Sequence, residues 1–263
     1  MIFSEADRRV GFFRFNPEHP LDLAGLVCIS HRRVMRRLAA FLVLTAPCFA
    51  ESVSDDIPIG VEVLTGFRSE YIHRGFKLTN NLIDVQTEAE IALSNEWVLN
   101  LGGFYGTGTG RGDFSETAAF FDLRYEAENW TAGFATTFRD YQDSIFTDGL
   151  DLCPSFKWRL SDDWTIGTKV AYDTGDGGWY GNLEAAWSKP LSEDSFLSAR
   201  VGSSWTSDYY ESSGWHNSFA RLSWTYAIND SVAITPFAGT SIPMSSSAER
   251  NRLFGGLWFE VNF

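Results

Sequence analysis

The sequence has few cysteines and no long apolar run. Only three of its 263 residues are cysteine, and of these only Cys153 lies beyond residue 50, so that part of the chain cannot form an internal disulfide. No apolar stretch beyond residue 50 approaches the length of about 20 residues that a membrane-spanning helix needs. Any residence of this part of the chain in a membrane must therefore be by strands.

Basic residues and histidines are also scarce. The chain has 34 acidic and 21 basic residues, and because 4 acids and 7 bases precede residue 51, the remainder carries a net charge of −16. Such a surplus of acids excludes nucleic acid as a partner, since binding to phosphates needs lysine and arginine. Only His73 and His216 lie beyond residue 50. With a single cysteine they offer no zinc site, and we expect no cofactor.

The first fifty residues differ from the rest and have the order of an export signal. Two arginines follow Met35, an apolar run occupies residues 38–44, and small residues lead to Ala50. This order of charged, apolar and small residues is typical of a secretory signal peptide, and it identifies Met35 as the start of translation. The chain then divides into an upstream extension, a signal peptide and one exported domain, which are residues 1–34, 35–50 and 51–263.

This division predicts that the mature protein begins at Glu51. Signal peptidase cleaves after a small residue, and Ala50 is the small residue that ends the signal. N-terminal sequencing or the intact mass of the protein from the membrane fraction measures this directly. Mature protein that retains residues 1–34 would contradict both the signal and the proposed start.

Short polar clusters recur along the exported domain at a regular distance. The residues that follow them are spaced by 33, 34, 32 and 36 positions, and they are Trp97, Trp130, Trp164, Phe196 and Val232. This period fits two strands, one tight turn and one longer loop. It predicts twelve strands near residues 59–70, 81–93, 97–106, 116–127, 130–139, 149–160, 164–173, 179–187, 196–205, 215–226, 232–240 and 252–263.

Within the predicted strands, apolar and charged residues alternate. Residues 121–126 are an example, because Phe121, Leu123 and Tyr125 alternate with acids and an arginine. Tryptophans recur at one end of the strands (Trp97, Trp130 and Trp164) and at the other end (Trp179, Trp205 and Trp215). Two aromatic girdles of this kind, with short turns on one side and longer loops such as 206–214 on the other, are typical of a bacterial membrane barrel.

The chain ends on an alternating segment, residues 253–263, whose last residue is Phe263. This tail resembles the C-terminal strand signal of outer-membrane proteins. The resemblance implies the barrel-assembly machinery as a partner, together with outer-membrane lipid, and a location in the bacterial outer membrane. We therefore expect an all-β fold, a closed antiparallel transmembrane β-barrel of about twelve strands.

The inward positions of such a barrel carry charges of both signs, which can line a wet lumen or fill it with ion pairs. Inward Gly102, Gly133, Gly167 and Gly202 favour the wet lumen because they reduce the volume of side chains. We therefore expect a channel for small hydrophilic solutes and no enzyme. The candidate pore-lining residues are Arg68, Asp84, Glu88, Asp122, Arg124, Glu126, Lys157, Arg159, Lys169, Glu184, Arg200 and Arg221.

One motif resembles a known family of exported barrels. The run from Ser69 to Gly75 contains Tyr71 and Arg74 and is similar to the Ser-Asp-Tyr-x-x-Arg-Gly signature of the TorF-type porins, with Glu70 at the position of the aspartate. The resemblance implies a porin-like barrel. It names no transported solute.

Two other functions remain open on the sequence. His216 and Ser218 form a His-x-Ser pair at strand spacing, which predicts both side chains on the lipid face. The pair resembles that of outer-membrane phospholipase A, which implies His216 as base and Ser218 as nucleophile of a lipid hydrolase, although no third residue is found to orient the imidazole. A structural or adhesive barrel is the remaining alternative.

Overall fold

The computed structural model describes residues 58–110, 114–244 and 250–263, and these form one closed barrel of antiparallel strands. The expected upstream extension, the signal peptide and the first residues of the exported domain lie outside the described residues. Among the described residues, no helix is long and apolar enough to cross a membrane.

Twelve strands form the barrel, as the sequence predicts. They are β1 (Ile59–His73), β2 (Phe76–Ala92), β3 (Trp97–Gly108), β4 (Ser115–Glu126), β5 (Trp130–Gln142), β6 (Gly149–Arg159), β7 (Trp164–Asp173), β8 (Trp179–Ser192), β9 (Ser195–Tyr209), β10 (Ser212–Asn229), β11 (Val232–Pro243) and β12 (Arg252–Asn262). Each strand pairs with its neighbours in sequence, and β1 pairs with β12 to close the ring. Closure gives every strand two partners, so no row of backbone N–H and C=O groups faces lipid unpaired.

The two ends of the barrel differ. The start of β1, the end of β12 and five short turns lie at one end, which we name the turn end; the other is the loop end. At the loop end β1, β2, β9 and β10 are longer than predicted, so the expected loop 206–214 is mostly strand. The reason is a two-residue turn at each tip: φ is +49° and +87° at Arg74 and Gly75, and +45° and +63° at Tyr210 and Glu211. Turns of this hand match the twist of paired strands, so the ladder continues to the tip.

The outer face of the barrel is an apolar band with tryptophans at both ends. Exposed apolar side chains of the band include Phe67, Ile83, Leu101, Phe134, Leu183, Val201 and Leu222. Trp97, Trp130 and Trp164 are exposed at the turn end, and Trp179 and Trp215 at the loop end. This arrangement confirms the alternation and the predicted girdles, and it is the pattern typical of barrels that span a membrane.

The interior contains more aromatic side chains than the sequence indicated. Each inward glycine lies beside a neighbouring side chain: a Cβ on Gly102 would be 2.2 Å from the Phe120 ring, and one on Gly202 would be 2.5 Å from the Phe219 ring. These two glycines therefore make room for aromatic rings and not for water, and the expectation that they widen the lumen is wrong. The physical reason is that a large inward ring on a neighbouring strand fills the space that a glycine leaves.

Candidate functional site

The turn between β1 and β2 lies inside the loop end of the barrel. We name residues 73–76 the hairpin tip. The ladder between β1 and β2 shifts register between Tyr71 and Ile72, which leaves one extra residue on β2. Such a bulge bends a strand pair and increases its twist. The bend lets the hairpin tip leave the barrel wall.

The hairpin tip crosses the lumen to the opposite wall. In a closed ring of twelve strands, β7 lies opposite β1. Arg74 reaches this far wall. Its Nη2 forms an ion pair of 2.7 Å with Oδ2 of Asp151 on β6, and its Nη1 donates a hydrogen bond of 2.9 Å to the Tyr209 hydroxyl on β9. Both contacts are possible only if the hairpin tip spans the interior, so it narrows the loop end of the barrel.

Aromatic packing holds the hairpin tip in place. The Phe76 ring stacks on His216 of β10 with centroids 4.5 Å apart, and it meets Phe146 of the β5–β6 loop edge-on at 5.6 Å. His73 packs against the same Phe146 ring at 5.4 Å. A Cβ on Gly75 would be 2.7 Å from the His216 ring, so this position requires glycine for close approach as well as for its positive φ.

Two tyrosines at the tip of the β9–β10 hairpin complete the aromatic packing around the β1–β2 hairpin tip. The rings of Tyr209 and Tyr210 lie 4.8 Å apart, and Tyr210 lies 4.3 Å from Phe146. The Tyr210 hydroxyl accepts a 3.0 Å hydrogen bond from the Thr147 backbone N–H. Burial raises the pKa of Tyr210 to about 12, so this hydroxyl stays protonated and neutral.

A chain of buried polar contacts connects the hairpin to the barrel wall. Tyr71 donates a 2.7 Å hydrogen bond to Glu116 on β4, which pairs with Arg139 on β5 at 2.5 Å. Arg139 in turn lies 3.2 Å from Asp151, the partner of Arg74. Because these groups are almost fully buried, each charge depends on its partners. This series of contacts holds Asp151 from the wall side, independently of Arg74.

The residues of the TorF-like motif meet in this region. The Ser69 hydroxyl accepts a 3.0 Å hydrogen bond from the Gly255 N–H on β12, which ties the base of the hairpin to the barrel seam. Tyr71, Arg74 and Gly75 form the contacts described above. The motif thus builds a hairpin that turns inward. The sequence of the motif does not indicate its contacts with the opposite wall, because Asp151 and Tyr209 are far away in sequence.

At the turn end the interior charges are accessible to solvent. Arg124 pairs with Glu90 at 2.7 Å and lies 3.8 Å from Asp122 and 3.9 Å from Glu126. The side chains of Glu90 and Glu126 are 55% and 45% exposed, whereas those of Arg74, Asp151, Arg139 and Glu116 near the hairpin tip are 9% exposed or less. Water therefore reaches the charges at the turn end, whereas the charges beside the hairpin tip are shielded from it.

Three acidic residues lie together on one side of the interior, and several basic residues lie on the other side. Glu62 lies directly across from Glu88 in the β1–β2 ladder, and Glu260 on β12 is paired with Leu64, two residues further along β1. Lys157 on β6 and Lys169 on β7 belong to the opposite wall, where Arg200 on β9 pairs with Glu184 on β8 at 3.6 Å. Arg159 is exposed at the end of β6. Their role as a pore lining stays a prediction.

Two of the candidate pore-lining arginines are packed against rings. Arg68 pairs with fully buried Asp84 at 2.7 Å, and its guanidinium carbon lies 5.3 Å from the Tyr71 ring centroid and 5.4 Å from that of Trp258. The Arg221 guanidinium lies 4.1 Å from the Phe237 centroid and 4.0 Å from the Trp258 centroid, and Trp258 is 1% exposed. The alternation predicts that these two arginines point inward, but the sequence gives no sign of their aromatic partners, because it does not show that Trp258 in the alternating tail also points inward.

The structure separates His216 from Ser218. The β9–β10 ladder shifts register between Trp215 and Ser218, so both His216 and Asn217 are buried on the interior side. His216 Nδ1 lies 3.2 Å from the Ser212 hydroxyl, whereas the Ser218 hydroxyl is 2.9 Å from Ser203 and 3.0 Å from the Met244 sulfur. The expectation of a dyad on the lipid face is therefore wrong. The bulge adds one residue to β10, so the His216 side chain points to the opposite face of the strand from the one that regular alternation predicts.

The fold, but not the sequence, is similar to solved porins. No family model matches this sequence, and a search of curated proteins also found no match. The KdgM porin in complex with disordered oligogalacturonate is 7% identical over 78% of this chain and 99% of that chain, with a TM-score of 0.55. The NanC porin is 10% identical over 77% of this chain and 98% of that chain, with a TM-score of 0.50. At such identities the likeness shows a shared twelve-stranded barrel fold.

Proposed function

We propose that this protein is an outer-membrane channel for small hydrophilic solutes, with a mouth that the β1–β2 hairpin narrows. The closed barrel with its apolar band and the accessible charges at the turn end support this proposal. The similarity in fold to two porins adds to it. Under this proposal the turn end faces the periplasm and the loop end faces the outside, as in bacterial barrels with short periplasmic turns.

One observation carries the proposal: acidic side chains lie next to each other on the inner wall. Glu62, Glu88 and Glu260 lie on three neighbouring strands, and among the described residues none has a basic group within 4 Å. An ionised carboxylate without a partner is costly to bury, by several kcal/mol or more. We infer that water in the lumen solvates the side of this cluster that faces the interior. A filled interior would instead have favoured ion pairs or apolar residues here.

Reconstitution in a planar lipid bilayer tests this function against the alternatives. We expect stepwise ionic currents from the purified barrel and no release of fatty acid from the phospholipid. Fatty-acid release that Ser218→Ala abolishes would instead support a hydrolase. A barrel that folds, as shown by its heat-modifiable migration on a gel, but neither conducts nor hydrolyses lipid would contradict the proposal and leave a structural role.

The acidic loops predict weak selectivity for cations. Asp143, Asp148, Asp176 and Asp208 are exposed at the loop end, and the sequence places further acids there at Asp113, Asp140 and Glu211, of which Asp113 lies outside the described residues. Acidic side chains at a channel mouth raise the local concentration of cations, and this effect fades as the screening length falls from about 30 Å at 0.01 M salt to about 3 Å at 1 M. We therefore expect the reversal potential to show cation selectivity at low salt and less of it at high salt.

Neutralising three of these acids provides the corresponding test. Asp140→Asn, Asp143→Asn and Asp148→Asn together should reduce the cation selectivity at low salt without changing the assembly of the barrel. If the parent protein is instead selective for anions at low salt, then Arg124, Arg159 and Arg200 control the current from inside the lumen, and the argument from the mouth is wrong.

The finer assignments belong to the same proposal. We infer that residues 1–34 are an upstream extension, that residues 35–50 are a cleaved signal peptide and that the chain is inserted by the barrel-assembly machinery. The export signal and the terminal strand support this route. Membership of the TorF-type porins is supported by the run Ser69–Gly75, whose residues build the inward-turning hairpin.

A further inference from the structure

We propose that the wall opposite the β1–β2 hairpin carries a binding site for a small guanidinium compound, and that Arg74 occupies this site in the closed conformation. Asp151, Asp173, Tyr180 and Tyr209 line the site. The inference deepens the proposed channel function, on which it rests for its role in transport. It gives the class of solute that the narrowed mouth would recognise.

The geometry around the Arg74 side chain is that of a bound ligand. Its Nη2 lies 2.7 Å from Asp151 Oδ2, and its Nη1 lies 2.9 Å from the Tyr209 hydroxyl and 4.0 Å from Asp173 Oδ2. The guanidinium carbon lies 5.3 Å from the Tyr180 ring centroid and 5.5 Å from that of Tyr209. Carboxylates that accept from the planar edge and tyrosine faces within reach of the positive carbon are the combination that binds guanidinium groups.

The site is built by the far wall and does not depend on Arg74 for its shape. Asp151 belongs to β6, is 3% exposed and is also held by Arg139, which Glu116 fixes in turn. Tyr180 and Tyr209 belong to β8 and β9, which pair with each other. Arg74 is the one member that arrives from across the lumen. If the hairpin moved away, the four lining side chains would remain in the wall.

The vacated site would attract a cation for two reasons. Without Arg74, the three carboxylates of Glu116, Asp151 and Asp173 face a single positive charge there, that of Arg139. The net charge of the vacated site is therefore negative. In addition, the Oδ1 atom of Asp151 is buried and has no hydrogen-bond partner among the described residues. This oxygen is an acceptor that a free guanidinium compound can use and that the tethered Arg74 leaves unsatisfied.

Arg74 and a free guanidinium compound would compete for the same site. A group tethered on a hairpin has an effective concentration in the millimolar range, so it lowers the apparent affinity for a free competitor. Removing the tethered guanidinium should therefore strengthen the binding of a free one. We expect n-butylguanidinium to bind Arg74→Ala protein about tenfold or more tightly than the parent protein.

Isothermal titration of the folded barrel in detergent tests this site without any current. n-Butylguanidinium is titrated into the parent protein, Arg74→Ala, and Arg74→Ala combined with either Asp151→Asn or Asp162→Asn. Asp162 is an exposed acid of the β6–β7 turn at the other end of the barrel, so its variant is matched in charge to that of Asp151. We expect Asp151→Asn to weaken binding at least tenfold and Asp162→Asn to leave it nearly unchanged. The neutral isostere n-butylurea should bind much more weakly, and heat-modifiable migration confirms that each variant is folded.

Three results would overturn the site: equal affinity in the parent and Arg74→Ala proteins, equal loss with the two aspartate variants, or equal binding of n-butylurea. Because the titration needs no conduction, the two proposals fail separately. Binding with the expected pattern in a barrel that passes no current would leave the guanidinium site standing and contradict the channel.

Discussion

Replacing Arg74 by alanine should raise the open fraction of the channel about 10- to 100-fold in planar bilayers. Removing one member of a buried ion pair typically costs about 3 to 5 kcal/mol, and since Asp151 keeps Arg139 as a partner we expect about 1.4 to 2.8 kcal/mol here. This free energy is lost only from the conformation in which the hairpin tip contacts the far wall. The measurement is the fraction of time that single channels spend at the larger current level.

Lys77→Ala is the matched control for this prediction. Lys77 lies on the same hairpin and carries the same charge, but its ion pair of 3.0 Å is with Glu70, within the hairpin itself. Its removal should leave the open fraction nearly unchanged. If Lys77→Ala and Arg74→Ala raise the open fraction equally, the effect comes from the lost positive charge and not from release of the hairpin.

Changing Phe263 should abolish insertion into the outer membrane while leaving the folded barrel stable. The Phe263 side chain is 72% exposed, and the contacts of this residue with β1 are backbone hydrogen bonds to Val61, of which the one donated by Phe263 is 2.9 Å. Replacing the ring therefore costs the finished barrel little. Under the proposed assembly route, Phe263→Glu should accumulate unassembled in the periplasm with almost no heat-modifiable form.

Refolding in detergent separates recognition from stability for this variant. We expect Phe263→Glu protein to refold in vitro to nearly the extent of the parent, because its backbone can still pair with β1. Phe263→Tyr, which keeps an aromatic ring, should assemble in cells. Normal insertion of Phe263→Glu in cells would show that the resemblance of the tail to an assembly signal has no functional meaning.

The strands could be predicted from the sequence because their pattern is local. Alternation of apolar and polar residues records which face meets lipid, and the repeat of about 33 residues records each pair of strands with its turns. Residues 121–126 show the alternation, and β4 is found where it indicates a strand. Strand number, the aromatic girdles and the inward position of the charged residues all follow from such local information.

The constriction could not be predicted because its contacts cross the barrel. Arg74 and Tyr209 are 135 positions apart in sequence, and nothing near either residue indicates the other. The same limit applies to the bulge that turns His216 inward, since alternation assumes an unbroken ladder. Gly102 was misinterpreted for a related reason: the ring that fills its space belongs to Phe120 on the neighbouring strand.

Tethering the hairpin tip to the far wall tests the central claim most directly. Phe76→Cys and His216→Cys, in a Cys153→Ala background that removes the free buried thiol, place thiols where two rings now stack 4.5 Å apart. A short thiol-reactive linker that a reducing agent cleaves joins them. We predict a low single-channel current with the linker in place and a larger current after reduction of the same channels. An unchanged current after reduction would contradict the claim that this hairpin closes the mouth of a conducting barrel.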